Sequence, residues 1–219
     1  MEHTKLSQHE LKNVFTDVRR AYRLLYNYHD RIQDLARFIA NRLEFHDFRL
    51  GRPLFSDPLQ PKKIINNDRW TWDFLPGYCF DYLFADRVFQ DRKYHLSILL
   101  VSDTGYYDNY EKVNHKIEES DFLPPERATS DLYLILRHPN TWNTLEKLLK
   151  DKSRLEEEGH LGEKDDPKLI YSQFSLDAFH NEASTRKCIE QFKRHCMMEH
   201  QIDLTPGALP DEGSTSEKG

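Results

Sequence analysis

The amino-acid sequence predicts an α+β fold with a mostly antiparallel sheet of about five strands, a long N-terminal amphipathic helix and further helices near the C-terminus. Three observations predict it. An apolar heptad pattern occupies the first 45 residues, runs of strand length fill the middle of the chain, and helical spacing returns near its end. With 219 residues, 38% of them hydrophobic and 12% aromatic, the chain suits one globular domain or one domain with appendages.

The first predicted element is one continuous helix from Ser7 to about residue 45. Ser7 and Glu10 have the spacing of a capping box, which satisfies backbone N–H groups at a helix start. Apolar residues then recur every seven positions, with others three and four places later: Leu11, Val18, Leu25, Ile32 and Ile39. At about 1.5 Å per residue such a helix approaches ~60 Å, which exceeds what a globule of this size covers. We therefore expect part of this stripe to contact another chain or a second helix.

Strand signals follow a loop that contains Gly51, Pro53, Pro58 and Pro61. The patterns predict a short edge strand within residues 48–55, a hairpin of residues 70–74 and 78–85, a central strand at 93–102 and an apolar strand at 132–137. Helical spacing occurs between the last two strands, at residues 110–120. The middle of the chain should therefore supply most of the sheet.

The remaining elements are a helix after Pro139 with Leu145, Leu148 and Leu149 inward, a last strand at 169–174 and a last helix at about 181–201. Residues 150–168 are so rich in charge that we expect a mobile loop or a frayed helix end. The tail is polar and rich in Gly, Pro and Ser. The expected organisation is a helical arm at 1–46, a globular domain at 47–203 and a disordered tail at 204–219.

Charge and cysteine content restrict the function classes. The chain carries 31 Lys and Arg residues against 37 Asp and Glu, a formal net charge of −6, so no strongly basic nucleic-acid protein is indicated. Three cysteines are an odd number without the rhythm of a disulfide scaffold. We expect reduced thiols, neither a secretion signal nor a membrane span, and a cytoplasmic location.

The triplet Asp103-Thr104-Gly105 follows an apolar strand and is similar to the active-site triplet of aspartic proteases, in which two such aspartates share a proton. Only one copy is present, and no later glycine follows an apolar pair in a strand as the retroviral type of that family requires. A turn that favours Asp and Gly explains the triplet better.

Asp81, Asp91 and Lys93 resemble the PD-(D/E)xK nucleases, in which two carboxylates bind Mg²⁺ and a lysine steadies the attacking water or the phosphate. In that family the second acid and the lysine lie inside a strand, whereas here they precede Tyr94 in an expected turn. A metal-dependent phosphodiester hydrolase is therefore an alternative function, and a solvated turn is the simpler interpretation.

Two further groups could carry function. Cys196 and His200 share a helix face, with Cys188 two turns earlier, but buried thiols explain these residues better than a metal clip, and we predict no metal site. Arg19, Arg20 and Arg23 on the long helix could follow a phosphate backbone. Acidic neighbours make a soluble helix surface the better interpretation, so nucleic-acid binding is a second alternative.

The leading hypothesis is a non-catalytic cytoplasmic interaction protein without a cofactor, either a regulatory or an assembly subunit. It would bind a partner or itself through the long helix, because an apolar stripe of this length is costly to leave in water. The expected interface residues are Leu11, Val18, Leu25, Tyr28, Ile32 and Ile39.

Overall fold

The computed structural model describes residues 7–54, 76–89, 91–105, 122–139, 141, 145, 149, 159–163 and 166–204. It confirms the α+β class, with an antiparallel sheet, a long N-terminal helix and a C-terminal helix. The chain divides into two compact units, residues 1–38 and residues 39–219. Within the described residues no helix is long and apolar enough to cross a membrane.

Helix α1 runs from Gln8 to Arg42 and is a single α-helix of 35 residues. The capping box at its start is confirmed, since the Ser7 N–H donates to Glu10 Oε2 at 2.7 Å and the Glu10 N–H donates to Ser7 Oγ at 3.3 Å. These bonds lower the pKa of the Glu10 carboxyl. At the other end Glu44 has a positive φ of 59°, and the Phe45 N–H bonds the Ala40 carbonyl at 2.9 Å, which closes the helix.

The sheet contains six strands in the order β1-β2-β3-β4-β6-β5, and every neighbouring pair is antiparallel. The strands are β1 Phe48–Pro53, β2 Cys79–Phe89, β3 Arg92–Val101, β4 Asp131–Arg137, β5 His160–Glu163 and β6 Asp166–Ser175. The predicted central strand and the predicted apolar strand correspond to β3 and β4, each within a residue at either end. Both are buried along nearly their whole length, as expected of inner strands.

Strand β5 and the start of β6 correct the prediction of a loop or a frayed helix end at residues 160–163 and 166–168, whereas residues 150–158 and 164–165 lie outside the described part of the chain. The backbone of β5 pairs with β6, which itself begins at Asp166, earlier than predicted. A short edge strand forms through its main-chain bonds and needs no apolar side chains, so its charged composition concealed it.

A hydrophobic core covers one face of the sheet. Its sheet residues come from β2, β3, β4 and β6 and include Cys79, Leu99, Val101, Tyr133, Ile135, Leu169 and Tyr171. Leu145 and Leu149, which the helical spacing predicted to point inward, are buried in this core. Leu148 lies outside the described residues, as do the segments 70–74 and 110–120 and the tail from residue 205.

Helix α2 runs from Glu182 to His200, in agreement with the predicted last helix. Asn181 caps its start by accepting a hydrogen bond from the Ser184 N–H at 2.9 Å. The left-handed residue Gln201 ends it with φ 58°. One face is buried, as the spacing predicted, and it contains Thr185, Cys188, Ile189, Phe192 and Cys196.

Candidate functional site

The first half of α1 exposes a continuous row of large apolar side chains. Eight of them lie within residues 11–26, and their exposed fractions range from 38% to 72%. Six share one helix face and are called the exposed stripe: Leu11, Val14, Phe15, Val18, Tyr22 and Leu25. An apolar face of this length on a capped helix has the form of a protein-binding surface.

The exposed stripe includes half of the predicted interface residues. Leu11, Val18 and Leu25 are open to a partner, whereas Ile32 and Ile39 are only 5% and 0% exposed. Ile32 and Ile39 therefore offer little surface in the single chain, and their place in a partner interface stays a prediction. The heptad continues through both parts of α1, and periodicity alone does not distinguish an apolar face that the fold buries from one that it leaves open.

Tyr28 and His29 mark the position where exposure changes. Both side chains are partly buried, and their rings meet edge to face with centroids 5.2 Å apart. Burial lowers the pKa of His29, which favours the neutral imidazole. Tyr28 was a predicted interface residue, and its partial burial places it at the limit of the accessible surface.

Opposite charges border the exposed stripe on its two sides. With about 100° between successive residues, Glu10 and Asp17 lie along one border of the stripe and Lys12 and Arg19 along the other. We call these borders the acidic edge and the basic edge. All four residues are exposed. The surface therefore combines an apolar centre with charges that are ordered by side.

The arginines proposed for nucleic-acid binding are partly engaged within α1. Arg20 forms an ion pair with Asp17 at 2.9 Å, and Arg19 donates to the Thr16 hydroxyl at 2.9 Å. Arg23 is exposed. Because Asp17 stands among these cations, the helix carries mixed charge there, and nucleic-acid binding stays a prediction.

The residues of the nuclease-like prediction are not brought together. Asp81 is 1% exposed in β2, Asp91 occupies the turn between β2 and β3 with φ 64°, and Lys93 pairs with Val88 in the strand register. Seven residues separate Asp81 from Val88, which at about 3.3 Å per residue places Asp81 roughly 20 Å from the other two. Sequence proximity suggested one site, but an extended hairpin separates its ends.

Both oxygens of the Asp81 carboxylate already accept hydrogen bonds from other side chains. The carboxylate accepts a hydrogen bond from the Ser97 hydroxyl and one from Arg137 at 3.3 Å, and Arg52 lies 3.6 Å away. Arg137 is itself only 2% exposed. The described residues contain no group of three or more His, Cys, Asp or Glu side chains that could hold a metal ion. The arrangement is that of a buried ion pair within the sheet.

A second charge cluster was missed by sequence reasoning. Asp86 binds Arg49 at 2.5 Å and also pairs with Lys93. His95 lies between Asp86 and Arg137 in the strand register, and burial together with nearby cations lowers its pKa to about 4. Among the described residues, the buried Nδ1 of His95 has no hydrogen-bond partner.

A β-bulge creates this arrangement. The register between β2 and β3 shifts between Leu83 and Asp86, so that two residues of β2 face one residue of β3. After the shift, Asp86 lies on the same face of the sheet as Asp81. A regular alternation would place Asp86 on the opposite face, and the sequence pattern contains no signal for the extra residue.

The Asp103-Thr104-Gly105 triplet forms the turn that the sequence favoured. Asp103 Oδ1 accepts a hydrogen bond from the Gly105 N–H at 2.8 Å, and the Thr104 N–H donates to the Thr129 carbonyl at 2.9 Å. A Cβ at Gly105 would lie 2.9 Å from Asp103 Oδ1. The aspartate therefore organises its own turn.

The cysteines of α2 that were considered as metal ligands are packed in the protein interior. Cys188 and Cys196 are free and buried, and burial raises the pKa of both thiols, which keeps them protonated. His195, which neighbours Cys196 on the same helix, packs its ring on Gly159, with Nε2 3.3 Å from the Gly159 carbonyl oxygen. These side chains serve the packing of α2 against the rest of its unit.

Comparison with known proteins identifies a family. A family model described as PM0109 matches residues 8–201, and the chain therefore belongs to that family. The matched segment begins at Gln8, the first residue of α1, and ends at Gln201, which caps α2. It includes the exposed stripe and the whole sheet. No curated protein and no solved structure matches the chain.

Proposed function

We propose that this protein is a non-catalytic association subunit that binds a helical protein partner through the exposed stripe of α1. The observation that supports the proposal is the exposure of eight large apolar side chains within residues 11–26. Recognition of this kind uses anchors spaced three, four and seven residues apart on one helix face. Leu11, Val14, Val18 and Leu25 have that spacing.

The energetics favour a partner that covers most of the exposed stripe. Fully burying a large apolar side chain gains about 1.5–3 kcal/mol, so half-burial of the six stripe residues gains about 5–9 kcal/mol. Association costs an amount of similar size in lost freedom of motion. A partner that covered only two or three of these residues would therefore not remain bound.

The interior of the sheet supports a non-catalytic role for the alternative residues. Asp81 is held by Arg137 and Ser97, and Lys93 pairs with Asp86. These contacts account for the charges of two of the three residues that the nuclease hypothesis needs. The proposal therefore rests on the helix surface.

The test compares the native size of three forms of the full chain, first in extracts of expressing cells and then after purification. Val18→Glu plus Leu25→Glu puts two charges into the exposed stripe. The matched control, Asn13→Glu plus Asn27→Glu, puts the same charges on the opposite side of α1. We expect the unmodified chain and the control to migrate above the 26.2 kDa of one chain, and the stripe variant to migrate as one chain.

Circular dichroism of each purified form checks that α1 and the sheet have formed. A complex that survives in the stripe variant contradicts the proposal. So does an unmodified chain that migrates as a single 26.2 kDa particle in both extract and purified sample.

A further inference from the structure

We propose that the partner of the exposed stripe is a second copy of this chain, and that the two α1 helices pair parallel and in register. The inference rests on the function proposed above and adds the identity and orientation of the partner. Its basis is the sorting of charge on either side of the stripe, with Glu10 and Asp17 on the acidic edge and Lys12 and Arg19 on the basic edge.

The symmetry of a helix pair decides which edges meet. When two identical helices pack face to face around a two-fold axis parallel to them, the acidic edge of each lies against the basic edge of the other. When the axis is perpendicular, each edge lies against its own copy. The surface of α1 is therefore self-complementary in the parallel arrangement.

The positions of the charged residues along the axis of α1 agree with a pair of helices in register. Glu10 and Lys12 are two residues apart, and so are Asp17 and Arg19, which is a rise of about 3 Å in each case. Long side chains span that offset easily. A parallel pair in register then contains Glu10 opposite Lys12 and Asp17 opposite Arg19, each formed twice by the symmetry.

The antiparallel alternative brings like charges together. The exposed stripe extends from Leu11 to Leu25 and its midpoint is Val18, so full overlap of two antiparallel stripes centres the axis there. Asp17 then lies close to its own copy, and Arg19 does likewise. Like charges that face each other across a helix pair oppose that pairing.

Engineered thiols distinguish the two orientations. The native cysteines are buried and free, so a new surface thiol provides a clean report. Leu11→Cys and Leu25→Cys are prepared separately in the full chain, one of them with a tag of different mass. The two positions are 14 residues apart, or about 21 Å along the helix. Asn27→Cys on the opposite side of α1 is the matched control.

Under mild oxidation we expect both stripe variants to form a disulfide with their own copy and the control to stay reduced. A mixture of the two stripe variants should contain no disulfide between position 11 and position 25. A disulfide between those two positions, with little coupling of either to itself, would overturn the parallel arrangement.

Charge reversal tests the edges themselves. Glu10→Lys plus Asp17→Lys makes both edges basic, and Lys12→Glu plus Arg19→Glu makes both acidic. We expect each variant alone to self-associate at least tenfold more weakly than the unmodified chain, and an equimolar mixture to recover the association. Circular dichroism of each variant confirms the helix. Unchanged self-association of both variants contradicts the role of the edges.

Failure of this inference differs from failure of the proposed function. A purified chain that sediments as one molecule at every concentration, while the complex in cell extract still depends on the exposed stripe, overturns the second-copy proposal alone. Loss of stripe dependence in the extract removes the proposed function as well.

Discussion

The first half of α1 and the central sheet distribute polarity in opposite ways. Residues 11–26 expose eight large apolar side chains, while the sheet buries Asp81 at 1% and Arg137 at 2% exposure. In the sheet, the carboxylate and the guanidinium satisfy each other in a place that water does not reach. On α1, apolar groups remain in water although the helix itself is well capped. The two regions therefore differ in what they leave to solvent, and the apolar surface of α1 is the one on which the proposed association depends.

Ion pairs of the same type contribute differently to the free energy of unfolding in these two regions. Arg137 and Asp81 lie 3.3 Å apart and are almost fully buried, whereas Arg20 and Asp17 lie 2.9 Å apart and are mostly exposed. The shorter pair is the weaker contribution to stability, because solvent screens it and also hydrates each partner well when the pair is broken. Distance alone is therefore a poor guide to the importance of a pair.

The largest expected effect is that of Arg137→Met, which leaves Asp81 buried without its guanidinium partner. We expect a loss of about 3–5 kcal/mol in the free energy of unfolding, measured by urea denaturation. Arg20→Gln removes the exposed counterpart on α1 and should cost less than about 1 kcal/mol. Equal losses in the two variants would mean that burial does not separate the two regions.

A second comparison is between a buried and an exposed apolar residue of the same helix, α1. Ile39 is fully buried and Leu25 is 38% exposed. Ile39→Ala should cost about 2–5 kcal/mol of unfolding free energy, because it leaves a cavity and loses buried contacts. Leu25→Ala should cost less than about 1 kcal/mol at protein concentrations below those of self-association, and should weaken association instead. The contrast between the parts of α1 fails if Leu25→Ala destabilises the single chain as strongly as Ile39→Ala.

The pH dependence of stability sharpens the description of the buried charges. His95 has a pKa of about 4 in the folded chain against an ordinary value of 6.5, so the unfolded chain takes up a proton first as the pH falls. The stabilisation is complete above pH 6.5 and is lost as the pH falls towards 4. We expect a loss of about 2 kcal/mol, reduced from the full shift because Arg49 and Lys93 are half-exposed. His95→Gln should flatten this part of the urea-derived profile, and an identical slope in the variant would contradict the assignment.

The elements that sequence reasoning recovered are those encoded by neighbouring residues. The capping box of Ser7 and Glu10, the apolar run of β3 and the spacing of α2 all depend on contacts within a few positions. Such local signals need no knowledge of the rest of the fold. The apolar pattern of the exposed stripe was predictable for the same reason. The position near Tyr28 at which this face of α1 changes from exposed to buried was not.

The features that sequence reasoning missed depend on distant partners. Strand β5 exists because β6 offers an edge, and the pairs of Asp86 with Arg49 and of Asp81 with Arg137 join residues 37 and 56 positions apart. The nuclease-like set shows the converse, since Asp81 and Lys93 are near in sequence and far apart along a hairpin. Long-range register is a property of the folded sheet.

The bulge in β2 determines how the sheet would respond to the loss of one residue at that position. Phe84 and Ala85 together face a single residue of β3, so β2 contains one residue more than its partner requires. A deletion of Ala85 would produce an uninterrupted strand in which Phe84 alone faces the residue between Ser97 and His95, and the other β2 residues would keep their β3 partners and their faces. Asp86 would then follow Asp81 by four positions and would stay on the same face of the sheet. Deletion of Ala85 would therefore remove the bulge and its added twist without changing the register of β2 against β3, whereas a deletion elsewhere in β2 would shift that register.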